Sequence, residues 1–580
     1  MTATVSDSRR PTAVSDGRPT TPLRQRLIGA AFIIIVGAIT LAPVLYVVAA
    51  SFDISDLGAK FRFGLTGWHD IFASTRTIAA IGYSFLLVIR VPIALVIAFA
   101  IAWLLVRVRL PGQRFIELAF WFGFLLPVFP MMMGWILLLD AHYGLFNLAL
   151  LELPFIHTAP FSIYSIPGII WVHLTLTTVP IMVILLTPAL RQMDASFEEA
   201  AEMSGATTWA TLRRVTIPLL APSILTAFVL ALIRSLEAFE VERVLGVPVN
   251  VDVYATRIYD FVSLEPPLFA QAMALSVLFL AMLLALGILY QFYLARSGER
   301  ATVGARAVRL QPRPRTWWAW LASVIIIAYL CLSLLVPMIV LILGSFTKLF
   351  GFFFLRDAWT TAHWRDAFAD TRFIHAVATS LGLGFSVALI GTLLFGLLSW
   401  VLVRTKIAGR HWIAVMIWLP WAIPGIVLGV SLLGLILETP GLSMLYGTIV
   451  PLIIALIIQQ MPIGVQLLRA AIAQISAQLE EAAMMCGAGF TTIFCRVTLP
   501  LVMPMLISVF LLVFAATLKD ISTTVLIAAP GIRTMSLLMF DFTLSGQLES
   551  ASVIGVVIAA LCLIVTAISF RLGGRIGIRS

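Results

Sequence analysis

Charged residues inside or beside long apolar stretches are the first candidates for chemistry in this sequence. Arg90 lies in the middle of such a stretch, where exposing a charge to lipid would cost several kcal/mol. We expect it to line a solute path, to act as a gate, or, as the favoured alternative, to form a structural ion pair. Its partner would be an acidic group such as Glu237 or Glu240, or backbone carbonyls. The candidate pore or gate residues are Arg90, Arg234, Glu237, Glu240, Lys519 and Asp520.

The last five of these residues follow two equivalent apolar stretches. Arg234 and Glu237 are three positions apart, so they could pair on one helix face. Lys519 and Asp520 occupy the corresponding place later in the chain. An outer gate and a plain solvated helix end both remain open interpretations. Deep acidic relays are not expected, because the apolar stretches themselves hold almost no acid.

The sequence offers no pattern for metal or covalent chemistry. Cys331, Cys486, Cys495 and Cys562 are too few and too scattered for a disulfide framework or a cysteine-rich metal site. Hard cations prefer oxygen ligands, and no tight cluster of carboxylates and tyrosines is present. We therefore predict no metal site, no cofactor and no catalytic residues. The histidines expected on the outer side are scattered: His69, His142, His157, His363 and His375.

A segment with a glutamate, two alanines, a glycine and a proline at fixed spacing occurs twice. The segment that starts at Phe197 returns at Leu479, at a constant offset of 282 residues. Ser196 and Glu199 form an S-x-x-E capping box that predicts a helix start, whereas the second copy has Gln478 in place of the serine. The glycines suit a helix C-cap or a close approach, and the prolines are expected to mark the start of the next span. The conserved positions are Glu198, Glu199, Ala200, Ala201, Gly205 and Pro218, then Glu480, Glu481, Ala482, Ala483, Gly487 and Pro500.

The composition indicates a membrane protein. Hydrophobic residues make up 61% of the 580 residues and charged residues 11%, and the mean hydropathy is +1.05. A water-soluble globular protein is excluded. The net charge of +10 does not indicate a nucleic-acid partner, because the basic residues fall in short clusters between apolar stretches. The expected environment is the lipid bilayer.

Twelve stretches are long enough to cross a bilayer, which takes about 20 apolar residues. Lys and Arg are concentrated in the segments that would face the cytoplasm, so both termini are predicted to be cytoplasmic. The predicted spans are 27–50, 77–106, 115–139, 163–187, 219–236, 268–294, 317–345, 377–403, 412–437, 446–468, 502–518 and 550–570.

The twelve spans form two tandem halves. Besides the E-A-A segment, Trp68 and Thr75-Arg76 correspond to Trp364 and Thr371-Arg372 at an offset of 296. Six spans per half is an even number, so the halves share one orientation as a parallel repeat. The predicted fold is an all-α polytopic membrane protein. The predicted domains are a disordered cytoplasmic tail 1–26, a first half 27–294, an Arg/Pro-rich cytoplasmic linker 295–316, a second half 317–571 and a cytoplasmic tail 572–580.

The repeated segment resembles the EAA loop of binding-protein-dependent ABC importer permeases, whose pattern is E-A-A-x3-G-x9-I-x-L-P. Both copies have Val where the pattern has Ile, and the first has Ile217 where the pattern has Leu. In that family the loop docks into a groove of the nucleotide-binding subunit. The resemblance gives this role to Glu199, Ala200 and Gly205 and to their counterparts Glu481, Ala482 and Gly487.

The resemblance implies a fused permease of the bacterial inner membrane that is not itself an enzyme. No G-x-x-x-x-G-K-[ST] phosphate loop is present. The implied partners are two copies of a separate ABC ATPase and one solute-binding protein. A single chain with two six-span halves is most similar to the ferric-iron permeases, while thiamine, polyamine, phosphonate and sulfate permeases are alternatives. An ion-gradient-driven secondary transporter is a further alternative, although it would have no use for the repeated loops.

Overall fold

The protein is almost entirely helical. The computed structural model describes residues 23–55, 60–194, 196–297, 317–405 and 409–575. Within these ranges the extended pairing consists of two isolated bridges, Asp53 with Phe63 and Thr347 with Trp359, in equivalent loops of the two halves. The all-α class and the tandem repeat are confirmed. The predicted tails and linker fall largely on residues 1–22, 298–316 and 576–580, outside the described residues.

Among the residues that the structure describes, ten helices are long and apolar enough to cross a membrane. In chain order they are spans 1, 2, 4, 5, 6, 7, 8, 10, 11 and 12: Ala30–Ala50, Thr75–Arg107, Ile166–Gln192, Thr208–Leu236, Phe269–Tyr293, Trp317–Gly344, Thr371–Arg404, Val450–Gln474, Cys495–Leu518 and Leu548–Ser569. The other helices of seven or more residues are Thr66–Ala73, Leu145–Leu151, Ser196–Met203, Tyr254–Ser263, Ala362–Ala369, Ala477–Met485 and Met535–Leu544.

Spans 3 and 9, predicted at 115–139 and 412–437, are bent pairs of helices, as the prolines inside them lead one to expect. Span 3 consists of Gln113–Leu125 and Val128–Leu139, which meet at 102°, and span 9 of Arg410–Ala422 and Gly425–Glu438, which meet at 107°. Pro127 and Pro424 occupy the N-cap positions of the second helices. A proline has no backbone N–H and disfavours a helical conformation in the residue before it, which explains both breaks.

Contacts at the span ends show that span 3 makes one full crossing. Glu117, near the start of span 3, pairs with Arg191 at the end of span 4. Arg107, at the end of span 2, pairs with Glu198, which follows span 4. These three span ends therefore lie on one face of the membrane, which we call the loop face. Span 4 crosses completely, so the chain between residues 113 and 165 must cross once in the opposite direction.

The second half repeats this arrangement. Arg404, at the end of span 8, donates to the carbonyl of Ile475 and pairs with Glu480, both of which follow span 10. Each bent pair thus counts as one span. With each bent pair taken as one span, the described residues contain twelve candidate crossings in two halves of the same orientation, and both E-A-A segments lie on the loop face.

Several helices contain a wider, π-helical turn just before a proline. Five π-helical turns in the described residues each end two residues before a proline. The wider turn accommodates the proline ring and the missing backbone donor. As predicted, Pro218 and Pro500 stand in the first turn of the long α-helices Ile217–Leu236 and Leu499–Leu518 of spans 5 and 11, and a π-helical turn directly precedes each of these helices. The turns are Leu174–Thr178, Leu212–Thr216, Glu242–Gly246, Cys331–Leu335 and Phe494–Thr498.

The first span of each half packs against the third span of the other half. Span 1 packs on span 9 and span 7 packs on span 3. A Cβ on Gly434 of span 9 would lie 2.5 Å from the Tyr46 hydroxyl of span 1, and a Cβ on Gly134 of span 3 would collide with the backbone of Pro337 in span 7. Small residues at these points allow the close helix contacts that packing in a membrane requires.

One short helix follows span 5 and another follows span 11. Each is held against an earlier span of its own half by a hydrogen bond to a buried serine. The backbone N–H of Tyr254 donates to the Ser84 hydroxyl of span 2 at 3.0 Å. The backbone N–H of Met535 donates to Ser380 of span 8 at 2.7 Å. Because of these contacts, the segments that follow spans 5 and 11 fold back into the bundle and bring their polar residues between the halves.

Candidate functional site

The E-A-A segments form two equivalent loops, which we call the EAA loops. In the first, helix Ser196–Met203 ends at Gly205, whose φ is +80°, and the N–H of Ala206 donates to the carbonyl of Ala201. In the second, helix Ala477–Met485 ends at Gly487 with φ +78°. A Cβ on either glycine would meet nothing within 4 Å. The glycines are therefore C-caps with a left-handed backbone, not sites of close approach.

The helix N-caps differ from the predicted capping box. Helix Ser196–Met203 already includes Ser196, and the backbone N–H of Ser196 donates to the Asp194 carboxylate at 3.0 Å. In the second loop the hydroxyl of Ser476 accepts from the N–H of Gln478 at 3.3 Å. Asp194 and Ser476 are equivalent in the repeat, so both loops use the same cap, two residues earlier than the sequence indicated.

The first glutamate of each loop points inward and joins a buried cluster. Glu198 accepts from the Thr216 hydroxyl at 2.6 Å and lies 2.8 Å from Nε of Arg107. Only 7% of Glu198 is exposed. We call Arg107, Glu198 and Thr216 the first loop cluster.

The second loop cluster contains Arg404, Glu480 and Thr498 in the corresponding roles. Arg404 Nε lies 3.2 Å from Glu480, which also accepts from the Thr498 hydroxyl at 3.1 Å. Sequence reasoning missed the arginines and threonines of both clusters. The signal was present, because each arginine ends its span four residues after a tryptophan, Trp103 or Trp400.

The second glutamate of each loop points outward. Glu199, Ala200 and Gly205 are exposed, as are Glu481, Ala482 and Gly487 of the second loop, while Ala201 and Ala483 are half-buried. Large apolar side chains accompany them on the surface, with Met203 and Met485 each 89% exposed. Together these exposed residues form the loop surface, whose further members are Phe197, Trp209, Leu479 and Met484.

A cavity of about 230 Å³ lies between the halves. All its charged lining residues belong to the first half, and the second half contributes only uncharged residues. Four of the six candidate pore residues line it: Arg90, Arg234, Glu237 and Glu240. The second half supplies Gly425, Gln459 and Ser522, and the first half also supplies His173, Glu242, Ser235, Thr177 and Thr178.

Arg90 is fully buried, and each of its three guanidinium nitrogens donates a hydrogen bond. Its guanidinium donates to Glu242 at 2.9 Å, to the Ser235 hydroxyl at 2.7 Å and to the Ser235 carbonyl at 2.7 Å. His173 Nε2 lies 2.9 Å from the same carboxylate oxygen of Glu242. The acidic partner is therefore Glu242, and the expected pairing with Glu237 or Glu240 is not found. Sequence reasoning missed both Glu242 and His173 as partners.

The other candidate pore residues lie around this cavity or behind it. Arg234 pairs with Glu237 at 3.2 Å, as the spacing predicted. Lys519 donates to the carbonyl of Phe124 in span 3 at 3.2 Å, which links the second half to the first. Asp520 accepts from the backbone N–H groups of Thr523 and Thr524 and stabilises the turn after span 11. Lys519 and Asp520 thus make structural contacts and do not line the cavity.

The cavity corrects the expectation of a membrane interior almost free of acid. Glu242 is 1% exposed, and Glu237 and Glu240 line the same cavity. They arrive there because the segment after span 5 folds back into the bundle, which hydropathy does not reveal. Among the described residues no three His, Cys, Asp or Glu side chains are arranged to hold a metal ion.

The outer ends of spans 2 and 8 carry different ion pairs. Arg76 in span 2 pairs with Asp252 at 2.7 Å and lies 3.5 Å from Asp260, so it connects span 2 to the segment after span 5. Its counterpart Arg372 pairs locally with Asp370 at 2.9 Å. Hydrogen bonding to the Arg372 side chain lowers the pKa of Asp370. In the second half the contact with the segment after span 11 is of another kind, because the Arg372 guanidinium lies 5.5 Å from the centre of the Phe542 ring as a cation–π contact.

Comparison with known proteins agrees with this architecture. A family model for the inner membrane component of binding-protein-dependent transport systems matches residues 91–302 and again residues 392–577, together more than half of the chain. The ferric transport system permease protein FbpB of Actinobacillus pleuropneumoniae is 25% identical over 373 residues, which are 63% of this chain and 53% of that protein. The chain thus spans about half of the length of that relative.

Two further proteins extend the comparison. The Fe(3+)-transport system permease protein FbpB 2 of Haemophilus influenzae is 25% identical over 531 residues, 90% of this chain and 93% of the relative. A chain of a bacterial alginate ABC transporter, solved in complex with an alginate pentasaccharide-bound periplasmic protein, is 20% identical with a TM-score of 0.38 over 45% of this chain and 95% of its own.

The two family matches fall one on each half and each includes an EAA loop, so the predicted resemblance is confirmed. This chain belongs to the inner membrane components of binding-protein-dependent transport systems, as a fused ABC importer permease similar to the ferric-iron transport permeases.

Proposed function

We propose that the chain supplies both halves of the translocation path of an ABC importer, with ATP hydrolysed by two copies of a separate ATPase. The observation that carries this proposal is the pair of equivalent EAA loops on one membrane face, each presenting exposed apolar side chains beside a glutamate. An unpartnered apolar surface of this kind is typical of a protein contact. One ATPase copy would bind each loop surface, through Glu199 and its neighbours in one half and Glu481 in the other.

The cavity between the halves is the proposed solute path. Its polar lining includes Arg90, in the middle of span 2, and residues of both segments that follow spans 5 and 11. Alternating movement of the halves would open it to one face and then to the other. The residues that contact the solute would be those of the first half that line the cavity, above all Arg234, Glu237 and Glu240.

The proposed solute is ferric iron, delivered by a solute-binding protein. The support is the similarity to two proteins named as ferric transport permeases, one of them matched over 93% of its length. Glutamate carboxylates in the cavity are suitable transient contacts for a hard cation. Thiamine, polyamines, phosphonates and sulfate are the alternative solutes.

The direct test is uptake of radiolabelled ferric iron by iron-starved cells. The unaltered chain is compared with a variant that carries both Glu199→Lys and Glu481→Lys. We expect the variant to remain in the membrane but to lose the ATPase subunit during purification and to lose iron uptake. Normal uptake by the variant would refute the role of the loops. If the unaltered chain takes up no iron, the same pair is tested with the alternative solutes.

We also propose that both termini are cytoplasmic and that the membrane is the bacterial inner membrane. The support is the concentration of Lys and Arg in segments on the loop face. A reporter fused after Ser580 is expected to be active only when it folds in the cytoplasm. Activity of a periplasm-specific reporter at the same position would contradict this orientation and place the loops on the wrong side for an ATPase.

A further inference from the structure

The two loop clusters tie each EAA loop to two membrane spans. In the first, Glu198 contacts Arg107, the last residue of span 2, and Thr216 near the start of span 5. In the second, Glu480 contacts Arg404, the last residue of span 8, and Thr498 in span 11. The same three residue types make the same contacts in both halves. A connection retained twice within one chain indicates a function shared by both loops.

Adjacent glutamates in the first loop have opposite surroundings. Glu198 is 7% exposed and directed at the spans, whereas Glu199 is on the loop surface. A protein that docks on the loop surface touches Glu199 but is separated from Glu198 by the loop helix. The first glutamate therefore belongs to the connection between loop and membrane, and the second to the docking contact.

The ion pair resists separation of the loop from span 2. Side chains of Arg107 and Glu198 are only 6% and 10% exposed. Pulling them apart would leave buried charges without partners, which is far more costly than breaking a surface pair. When the loop helix moves, the end of span 2 must follow it.

Span 2 extends this connection to the cavity. Residues Arg90–Arg107 form one continuous helix. At 1.5 Å per residue, Arg90 lies about 25 Å from Arg107 along the helix axis. Arg90 in turn holds Ser235 of span 5 and the cavity residue Glu242. A contiguous chain of buried contacts thus runs from the loop surface to the proposed solute path, and it provides a physical route for coupling these distant sites.

We propose that Glu198 and Glu480 are positioning residues that transmit movement of the EAA loops to spans 2 and 8, through Arg107 and Arg404. This inference rests on the proposed function, because the ATPase subunits are what would move the loops. The glutamates do not bind the ATPase and do not touch the solute. Their role is to keep the loop and the span moving as one unit.

The test uses the full complex with its ATPase and binding protein, and radiolabelled ferric iron as the probe. The variant Glu198→Gln with Glu480→Gln should still co-purify the ATPase, because the loop surface is unchanged. Its maximal uptake rate, and the stimulation of ATP hydrolysis by the iron-loaded binding protein, should fall about tenfold, the size of an ordinary coupling between sites. The KM for the iron-loaded binding protein should stay the same.

A charge exchange tests whether the pair itself matters. Glu198→Arg alone and Arg107→Glu alone should each abolish stimulated hydrolysis, and the combined exchange should restore a large part of it. Thr216→Val is a milder variant that keeps the charges and removes one hydrogen bond, so it should give a partial loss in a chain that still folds. The matched control is Arg114→Gln, which removes an exposed arginine near the start of span 3 on the same face.

Every result of these experiments either supports or overturns the proposed role of Glu198 and Glu480. Normal stimulated hydrolysis and uptake in the double glutamine variant would overturn the proposal, and so would a loss of uptake that only parallels a loss of bound ATPase. Failure of the charge exchange to restore any activity, with Thr216→Val unaffected, would also overturn it. If the unaltered chain binds no ATPase at all, the proposed function fails first, and the transmission role fails with it.

Discussion

The two halves share a scaffold but differ in the residues that reach the cavity. Both have six crossings, a bent third span, an EAA loop with a left-handed glycine and a buried loop cluster. In the part of the chain that the structure describes, an Arg–Glu–His network lies between the spans of the first half alone. Span 2 of that half is interrupted before Arg90, whereas span 8 runs unbroken over Thr371–Arg404. The position equivalent to Glu242 is Thr524, which caps a turn instead.

This difference indicates that the EAA loops and the solute path of a duplicated permease are under different constraints. The loops face two identical ATPase copies in the proposed assembly, so both halves must keep the same contacts. The solute path is shared by the halves, and one half alone can supply its charged groups. We therefore expect matched substitutions to have equal effects in the loops and unequal effects around the cavity.

The largest expected effect is at Glu242. Glu242→Leu leaves the buried Arg90 without its carboxylate partner, and removing one member of a buried pair costs about 3–5 kcal/mol. Thr524→Val, at the equivalent position, removes only hydrogen bonds to the carbonyls of Asp520 and Ile521 and should cost about 1 kcal/mol. Thermal unfolding of the purified proteins measures both. Equal destabilisation would mean that the Arg90 network contributes nothing specific to the first half.

For the Arg90 network, the sequence predicted that a partner exists but not which residue it is. The depth of Arg90 in an apolar stretch correctly indicated a partnered charge. Its partner is 152 residues away, beyond a segment that folds back into the bundle, and no local pattern identifies Glu242 over Glu237 or Glu240. Acidic residues next to a span look solvated in a hydropathy profile. Only the packing of the two halves shows that they are buried.

The loops were predicted with more detail because their signals are local. The loop helices, the C-cap glycines and the repeat itself can be read from spacing, although the N-caps lie two residues earlier than the S-x-x-E pattern indicated. The opposite orientation of Glu198 and Glu199 could not, since it depends on Arg107 from span 2. The positions of the bends in spans 3 and 9 also follow from local signals, because Pro127 and Pro424 interrupt the apolar runs, but the angles of 102° and 107° could not be read from the sequence.

The second largest expected effect is that of substituting the C-cap glycines of the EAA loops, and it should be the same in both halves. Gly205→Val and Gly487→Val each force a β-branched residue into a left-handed conformation, which costs about 1–2 kcal/mol locally and displaces the loop surface. Each single variant should reduce ATPase co-purification and uptake to a similar extent. Gly489→Val is the matched control, because it lies in the same loop without a positive φ and a Cβ there meets nothing within 4 Å. A large loss from one glycine and none from the other would break the equivalence of the loops.

The smallest expected effect sharpens the contrast at the outer ends of spans 2 and 8. Arg76→Gln removes the charged partner of Asp252, whose side chain is 4% exposed, and should destabilise the protein by about 1–2 kcal/mol. Arg372→Gln removes an exposed local pair with Asp370 and an exposed cation–π contact with Phe542, and should change stability by less than about 1 kcal/mol. Thermal unfolding at low and high salt distinguishes them, because salt screens the exposed pair but not the buried carboxylate. If Arg372→Gln proves the more destabilising, the outer end of the second half is held by its arginine after all, and the asymmetry between the halves is confined to the cavity.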